Sequence, residues 1–249
     1  MHLPADTAQP LVEATFSEIA EVERLMSPKA PGEDVRRVLE ASAGDEIALH
    51  PLTAAVLRLA ESIHLLSDGV FDIARTQRTG PAARYCWISE NRIQINIPGL
   101  LDLGGIAKGF AVDRALAILR EGGVAWAMVD AGGDAAAFGQ PQWFSIRHPL
   151  EAGASIGGFE FSDCALATSS AQFTTHLVNG ETQHHLFDPR INQFGPLSRS
   201  VTVIAASCVL ADALTKVVYF LGTAAAPALK NVNAQGWLWD EATGWVPLA

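Results

Sequence analysis

The sequence predicts a globular protein of the α+β class. Helix-type and strand-type patterns are mixed along its 249 residues, without the strict strand–helix–strand alternation of a doubly wound sheet. The composition is 49% hydrophobic and 18% charged, which excludes the disordered and coiled-coil classes. Because no repeat of solenoid length and no low-complexity linker divides the chain, we expect residues 1–249 to form a single domain.

The N-terminal part of the chain predicts two helices, a loop and a strand. Apolar residues at helical spacing, with acidic residues between them, predict an amphipathic helix over residues 11–26. A second helix pattern covers residues 52–66 and ends at a Ser-Asp-Gly turn. Glycine and proline predict a loop at residues 75–84, and alternating isoleucines predict a strand at residues 88–97.

The rest of the chain predicts two more helices and several strands. A helix pattern begins at Ile106, directly after a glycine pair, and ends at a second glycine pair, Gly122-Gly123. Strand patterns cover residues 124–130, 143–147, 158–161 and 201–206, and a last helix covers residues 209–221 and ends at Gly222.

The charge and the cysteines exclude several classes of protein. There are 17 Lys and Arg against 27 Asp and Glu, a net charge of -10 that repels nucleic acid, so we expect no nucleic-acid partner. An anionic ligand would need a local pocket of reversed charge. Three widely spaced cysteines form neither a disulfide framework nor a CxxC metal site.

The sequence shows no pattern typical of a secretion signal or of a membrane span. The N-terminus has neither a basic segment nor an apolar segment of a secretion signal, and no apolar run approaches the ~20 residues of a membrane span. We therefore expect no membrane span and a cytoplasmic location.

The first candidate site is a glycine turn before a helix. Gly104 and Gly105 leave backbone N–H groups free at the helix start, and Lys108 adds a full positive charge in the first turn. The stretch, which begins at Asp102, matches neither GxGxxG nor a P-loop. An anion site and an ordinary glycine turn therefore both stay open on this pattern alone.

The second candidate is a short stretch with an imidazole, a carboxylate and a guanidinium. His185 has the chemistry of a general base near neutral pH, although a single histidine is more often structural. In an extended chain His185 and Asp188 point to opposite faces, so they need not touch. His184 is the weaker candidate of the two histidines.

The third candidate lies on the predicted last helix. Asp212 and Lys216 are four residues apart and so share a helix face, with Thr215 between them. The pattern is typical of an exposed ion pair, and the alternative is an Asp212 that faces a pocket and holds a cation.

Together these stretches resemble the ApbE family, the FAD:protein FMN transferases. The resemblance is carried by six blocks that occur in the family's order over roughly residues 11–222. The blocks are GVFD at 69–72, DLGGIAKGFAVD at 102–113, GGD at 132–134, ATSS at 167–170, HLFDPR at 185–190 and ADALTK at 211–216.

The resemblance implies both a fold and a reaction. The implied fold is α+β with duplicated T-fold-like units. In the implied reaction a Thr hydroxyl of an acceptor flavoprotein attacks the FMN phosphorus of FAD, which is the substrate, and AMP leaves. His185 would lie nearest to the transferring phosphoryl group. By the same resemblance the FAD site would be lined by Phe71, Asp72, Asp102, Gly104, Gly105 and Lys108, and Mg²⁺ would be held by the Gly105 carbonyl, Asp212 and Thr215.

This chain also departs from the family pattern. The family's first strand has no counterpart before Leu11, and the family's metal-binding hydroxyl falls on Lys216, one position after Thr215. An ammonium there competes with Mg²⁺ for Asp212, so we expect Mg²⁺ binding to be weak or absent. The alternative to an enzyme is a catalytically silent module that binds flavin or a protein partner.

Overall fold

The computed structural model describes residues 5–73, 84–99, 101–171, 175–178, 181–188, 190–191 and 193–248. Its helices are α1 (Ala5–Met26), α2 (Asp34–Glu40), α3 (Pro51–Leu66), α4 (Ala107–Glu121), α5 (Cys208–Leu221) and α6 (Ala226–Asn231). A 3₁₀ turn, Gly222–Ala225, joins the last two.

The strands are short, between two and seven residues long. They are β1 (Glu46–Ala48), β2 (Tyr85–Ser89), β3 (Arg92–Ile95), β4 (Ala127–Asp130), β5 (Asp134–Phe138), β6 (Gln142–Arg147), β7 (Ser155–Phe161), β8 (Cys164–Ser170), β9 (His176–Val178), β10 (Glu181–Gln183), β11 (Phe187–Asp188), β12 (Gln193–Phe194), β13 (Ser200–Ala205), β14 (Gln235–Asp240) and β15 (Gly244–Pro247).

The largest sheet has six strands in the described part of the chain, in the order β15-β14-β13-β8-β5-β4. Each neighbouring pair is antiparallel, and β8 pairs with β13 from Ala165 opposite Ala205 to Ser170 opposite Ser200. An antiparallel sheet with helices packed on it is an α+β arrangement and excludes a doubly wound sheet. The predicted fold class is therefore confirmed.

Helix α5 lies in the centre of the main core. Ten of its fourteen residues are buried, and it packs on α4, β8 and β13. Cys208–Asn231 is the one stretch of the described chain long and apolar enough to cross a membrane, but most of it is buried inside the protein, as is typical of a core helix. Length and composition alone are therefore weak evidence for a membrane span.

Helices α4 and α5 touch at a glycine. A Cβ atom added to Gly109 would lie 2.7 Å from the Cys208 carbonyl carbon and 2.8 Å from the Val209 Cα, closer than real side chains come. Only glycine therefore allows the two backbones to approach this closely. The contact holds the start of α4 beside the first turn of α5.

The structure corrects several element predictions. The strand predicted at residues 88–97 is a hairpin of β2 and β3, because Glu90 and Asn91 form a turn, as Asn often does. The helix predicted as the last one is followed by α6. Strand β5 was missed because its three alanines have low strand propensity, which complete burial in the sheet overrides. The loop predicted at residues 75–84 lies outside the described residues, apart from Arg84.

Candidate active site

Two neighbouring cavities share part of their walls. The larger has a volume of about 640 Å³ and includes Lys108, and the smaller, of about 200 Å³, includes Phe71 and Asp72. Gly104, His185 and Lys216 line both cavities. We call the place where these three residues lie the junction. Each of the six residues predicted for the FAD site therefore lines one or both of these cavities.

The glycine turn forms one wall of the junction. The Gly104 N–H donates a hydrogen bond of 2.8 Å to Asp102 Oδ1, which bends the chain before α4. A Cβ added to Gly105 would lie 3.5 Å from the Phe71 ring and 3.4 Å from Lys216 Cε. Phe71 and Lys216 therefore lie next to the main chain of Gly105, at distances that would also accommodate a Cβ atom.

Phe71 and Asp72 are held in place by residues on either side. The Phe71 N–H donates to Ser67 Oγ at 3.0 Å, and the Phe71 carbonyl lies 2.9 Å from His64 Nδ1. Both carboxylate oxygens of Asp72 accept hydrogen bonds from the Arg84 guanidinium, at 2.9 and 3.0 Å. Sequence reasoning missed Arg84, because nothing in the local pattern links it to an aspartate twelve residues earlier.

The two adjacent histidines have different environments. His184 is buried, its Nδ1 accepts the Leu186 N–H at 3.2 Å, and its Nε2 lies 3.0 Å from the Gly195 carbonyl. Nε2 therefore carries the proton, and this imidazole is neutral. His185, in contrast, is exposed, lies at a bend of the chain and lines the junction. The preference for His185 over His184 agrees with this geometry.

Asp188 pairs with Arg190. The guanidinium donates to both carboxylate oxygens, at 3.0 and 2.7 Å, and the Arg190 backbone N–H adds a bond of 2.9 Å. Burial alone would raise the pKa of Asp188, but these hydrogen bonds outweigh it and lower the pKa. Asp188 therefore braces the chain after His185 as an ionised carboxylate.

Asp212 and Lys216 form a buried ion pair, which excludes the exposed-pair interpretation. Asp212 is completely buried and the Lys216 side chain is only 13% exposed. The Lys216 ammonium contacts Asp212 Oδ1 and donates to the Asp212 carbonyl at 2.9 Å. Asp212 Oδ2 accepts the Gly109 N–H at 3.2 Å. The alternative is met only in part, because Asp212 lines neither cavity and the cation that it contacts is Lys216 of its own helix.

Thr215 does not line either cavity. It is completely buried, its hydroxyl donates to the Asp212 carbonyl at 2.6 Å, and the hydroxyl oxygen lies 2.7 Å from Ser169 Oγ. The three predicted Mg²⁺ ligands are therefore not a set that fits Mg²⁺. Asp212 is engaged by Lys216 and Gly109, and the Thr215 hydroxyl is engaged inside the core.

A second lysine–aspartate pair lies beside the first. The Lys108 ammonium contacts Asp134, which is buried at the start of β5. Burial and the Asp212 carboxylate raise the pKa of Asp134 to about 6, against the opposing effect of Lys108 and Lys216. Burial alone would lower the pKa of Lys108, but Asp212 and Asp134 outweigh it and raise the pKa. Asp134 belongs to the GGD block, yet sequence reasoning gave it no role.

Asp113 supports the site from outside it. Its two carboxylate oxygens accept the N–H groups of Cys208 and Val209, at 2.7 and 2.8 Å, so it caps α5 from a neighbouring helix. Burial raises the pKa of Asp113, although the two backbone hydrogen bonds oppose the rise. The last residue of the longest block is therefore structural.

This arrangement defines a class of protein. An acidic α+β protein with two lysines, a glycine turn and an exposed histidine around two neighbouring cavities is suited to an elongated anionic ligand. The ApbE family model matches residues 2–79 and 85–237, so the chain belongs to the ApbE family.

Curated relatives carry one name. The chain is 30% identical over 182 residues to an FAD:protein FMN transferase of Klebsiella pneumoniae, an alignment that covers 71% of this chain and 56% of that protein. It is 25% identical over 250 residues to an FAD:protein FMN transferase of Vibrio cholerae, covering 86% of this chain and 74% of the relative. The chain thus spans little more than half of the Klebsiella protein.

Solved structures share the fold. The ApbE protein of Thermotoga maritima matches with a TM-score of 0.82 at 22% identity, covering 96% of this chain and 89% of that one. The apo form of the flavinyl transferase ApbE of Pseudomonas stutzeri matches with a TM-score of 0.78 at 21% identity, covering 98% and 86%. The fold of this chain is therefore the ApbE fold.

Proposed function

We propose that this protein transfers FMN from FAD to a Thr hydroxyl of an acceptor flavoprotein and releases AMP. The observation that carries the proposal is the junction, where Gly104, His185 and Lys216 line both cavities. FAD has two ring systems joined by a pyrophosphate. A ligand of this form fits two cavities that meet at a lysine and a glycine turn, with the pyrophosphate at the cation.

The reaction needs charge stabilisation and a proton acceptor. The Thr oxygen forms a bond to the FMN phosphorus, the bond from that phosphorus to the bridging oxygen breaks, and the electron pair leaves with AMP. Lys216 would stabilise the negative charge of the pyrophosphate, since the Gly104, Ile106 and Ala107 N–H groups of the turn already donate to Asp102 and Leu103. His185, exposed at the junction, would take the proton of the attacking hydroxyl.

Mg²⁺ has no part in the steps proposed. The family's metal chemistry would offset pyrophosphate charge at the Gly105 carbonyl and Asp212, but Lys216 already contacts Asp212. In the proposed reaction Lys216 supplies the positive charge beside the pyrophosphate.

Transfer can be tested directly. The protein is incubated with FAD and an acceptor flavoprotein domain that carries an exposed target Thr, and covalent flavin fluorescence is read from a denaturing gel while AMP is quantified. We expect fluorescence on the acceptor and one AMP per flavin transferred. An acceptor with the target Thr changed to Ala is the control. FAD binding without AMP release or labelling would reject transfer and favour a silent flavin-binding module.

A further inference from the structure

We infer that the Lys216 ammonium is the resident cation of this site and that flavin transfer here needs no divalent metal. The inference rests on the proposed function, and it goes further by assigning the charge-stabilising group. It starts from a disagreement with the family pattern, because the Asp212 carboxylate already contacts Lys216 and the Thr215 hydroxyl is bonded inside the core.

The first argument is the position of Lys216. Its stem passes against Gly105, whose added Cβ would lie 3.4 Å from Lys216 Cε and 3.9 Å from Cδ. Its ammonium contacts Asp212 Oδ1. Lys216 therefore lies between Gly105 and Asp212, the main-chain and side-chain positions expected to hold the metal.

The second argument is that both carboxylate oxygens of Asp212 already have a partner. Lys216 contacts Oδ1, and the Gly109 N–H donates to Oδ2 at 3.2 Å. A divalent cation at Oδ1 would have to displace the ammonium and then lie close to it, with like charges repelling in a buried setting. Asp212 and Lys216 lie four residues apart on α5, so the helix backbone already holds the two side chains on the same face.

The third argument is the number of donors. An ammonium carries three N–H groups. Two of them go to Asp212, one to the carbonyl and one to the carboxylate, and Lys216 still lines both cavities. The third N–H is the one left to donate to a pyrophosphate oxygen at the junction, in a charge-assisted hydrogen bond.

The experiment compares metal-free and Mg²⁺ conditions in the wild-type chain. FAD affinity is measured by flavin fluorescence quenching, and AMP release with the acceptor domain, each in excess EDTA and in excess MgCl₂. We expect both quantities to agree within about twofold, and calorimetric titration of MgCl₂ into the FAD complex to give no binding heat. FAD affinity or AMP release that rises tenfold or more with Mg²⁺, together with calorimetric Mg²⁺ binding, would overturn the inference.

Lys216→Thr is the informative variant, since it frees Asp212 Oδ1 and supplies a hydroxyl. In EDTA we expect FAD affinity to fall roughly ten- to a hundredfold, as the loss of a charge-assisted hydrogen bond implies, and to recover with Mg²⁺. Lys216→Met removes the charge without offering an oxygen ligand. Its FAD affinity should fall in EDTA and should not recover when Mg²⁺ is added. Lys230→Thr, the same change at an exposed position of α6, should behave as wild type.

The outcomes separate the two proposals. If FAD binds but no AMP forms in any condition, the transfer proposal fails, while the dependence of FAD affinity on Mg²⁺ still decides the role of Lys216. A Lys216→Thr protein that binds FAD as tightly as wild type in EDTA would exclude Lys216 as a phosphate contact. No FAD binding in any condition overturns both. If the variants fail to fold, the wild-type comparison of EDTA with Mg²⁺ decides alone.

Discussion

The backbone N–H of Gly109 in α4 donates a hydrogen bond of 3.2 Å to the carboxylate of Asp212 in α5. This bond ties the helix that carries Lys108 to the helix that carries Lys216. It forms where the two backbones are closest, and that approach depends on the missing side chain of Gly109. The position of one cationic side chain relative to the other therefore depends on a single glycine.

Gly109→Ala tests this dependence. An added Cβ would overlap the backbone of Cys208 and Val209, which cannot move aside as a flexible side chain could. Overpacking of this kind costs about 1–3 kcal/mol, and here it outweighs the helix propensity that alanine gains. Urea denaturation would measure the loss, with Glu121→Ala at an exposed position of α4 as control. If Gly109→Ala were as stable as wild type or more stable, α4 and α5 could move apart without a cost in folding free energy, which would contradict this prediction.

Asp113→Ala should loosen the first turn of α5. The substitution leaves the N–H groups of Cys208 and Val209 without their partner, and both residues are buried. Loss of a helix cap costs about 0.5–2 kcal/mol. Urea denaturation should show a lower midpoint than wild type, and Glu23→Ala on the exposed face of α1 should not. Equal midpoints for both variants would mean that water caps α5 as well as Asp113 does.

The adjacent histidines should separate into one that affects the reaction and one that affects stability. His185→Ala should lower the rate of FMN transfer by roughly 10²–10⁴-fold, the usual contribution of a general base, with little change in the melting temperature. His184→Ala should lower the free energy of unfolding by about 1–3 kcal/mol, because the Leu186 N–H and the Gly195 carbonyl lose their partner. Rate and melting temperature are measured on both variants. The reverse pattern would exclude His185 as the base.

Asp134 should make stability depend on pH in the acid range. Its folded-state pKa of about 6 exceeds the ordinary value of 3.8. The contribution of Asp134 to stability is therefore fully present below pH 3.8 and is lost as the pH rises to about 6. We expect the stability of wild type relative to Asp134→Asn to fall over this range and to level off above it.

The measurement is the free energy of unfolding of wild type and Asp134→Asn in urea, between about pH 4 and about pH 8. Asp163→Asn is the control, since Asp163 is exposed and its positive φ of 54° suits asparagine. A difference that stays constant across the range, or rises with pH, would contradict the raised pKa of Asp134.

Local patterns were sufficient for part of the site. The contact between Asp212 and Lys216 follows from helical periodicity, because residues four apart share a face. The preference for His185 over His184 was also made from the sequence, and His185 is the exposed one of the two. The glycine turn beside Lys108 and its candidate anion role were also visible from residue types and spacing.

The tertiary structure alone decided which distant groups meet. Lys108 pairs with Asp134, Asp72 with Arg84, and Asp113 with the start of α5, across 26, 12 and 95 residues respectively. It also decided that Asp212 is completely buried and that the Thr215 hydroxyl is engaged in the core. Sequence spacing sets the direction of a side chain within one helix or strand, because backbone geometry repeats. The burial of a side chain and its distant partners depend on how the helices and strands pack together, and that packing is set by the whole core.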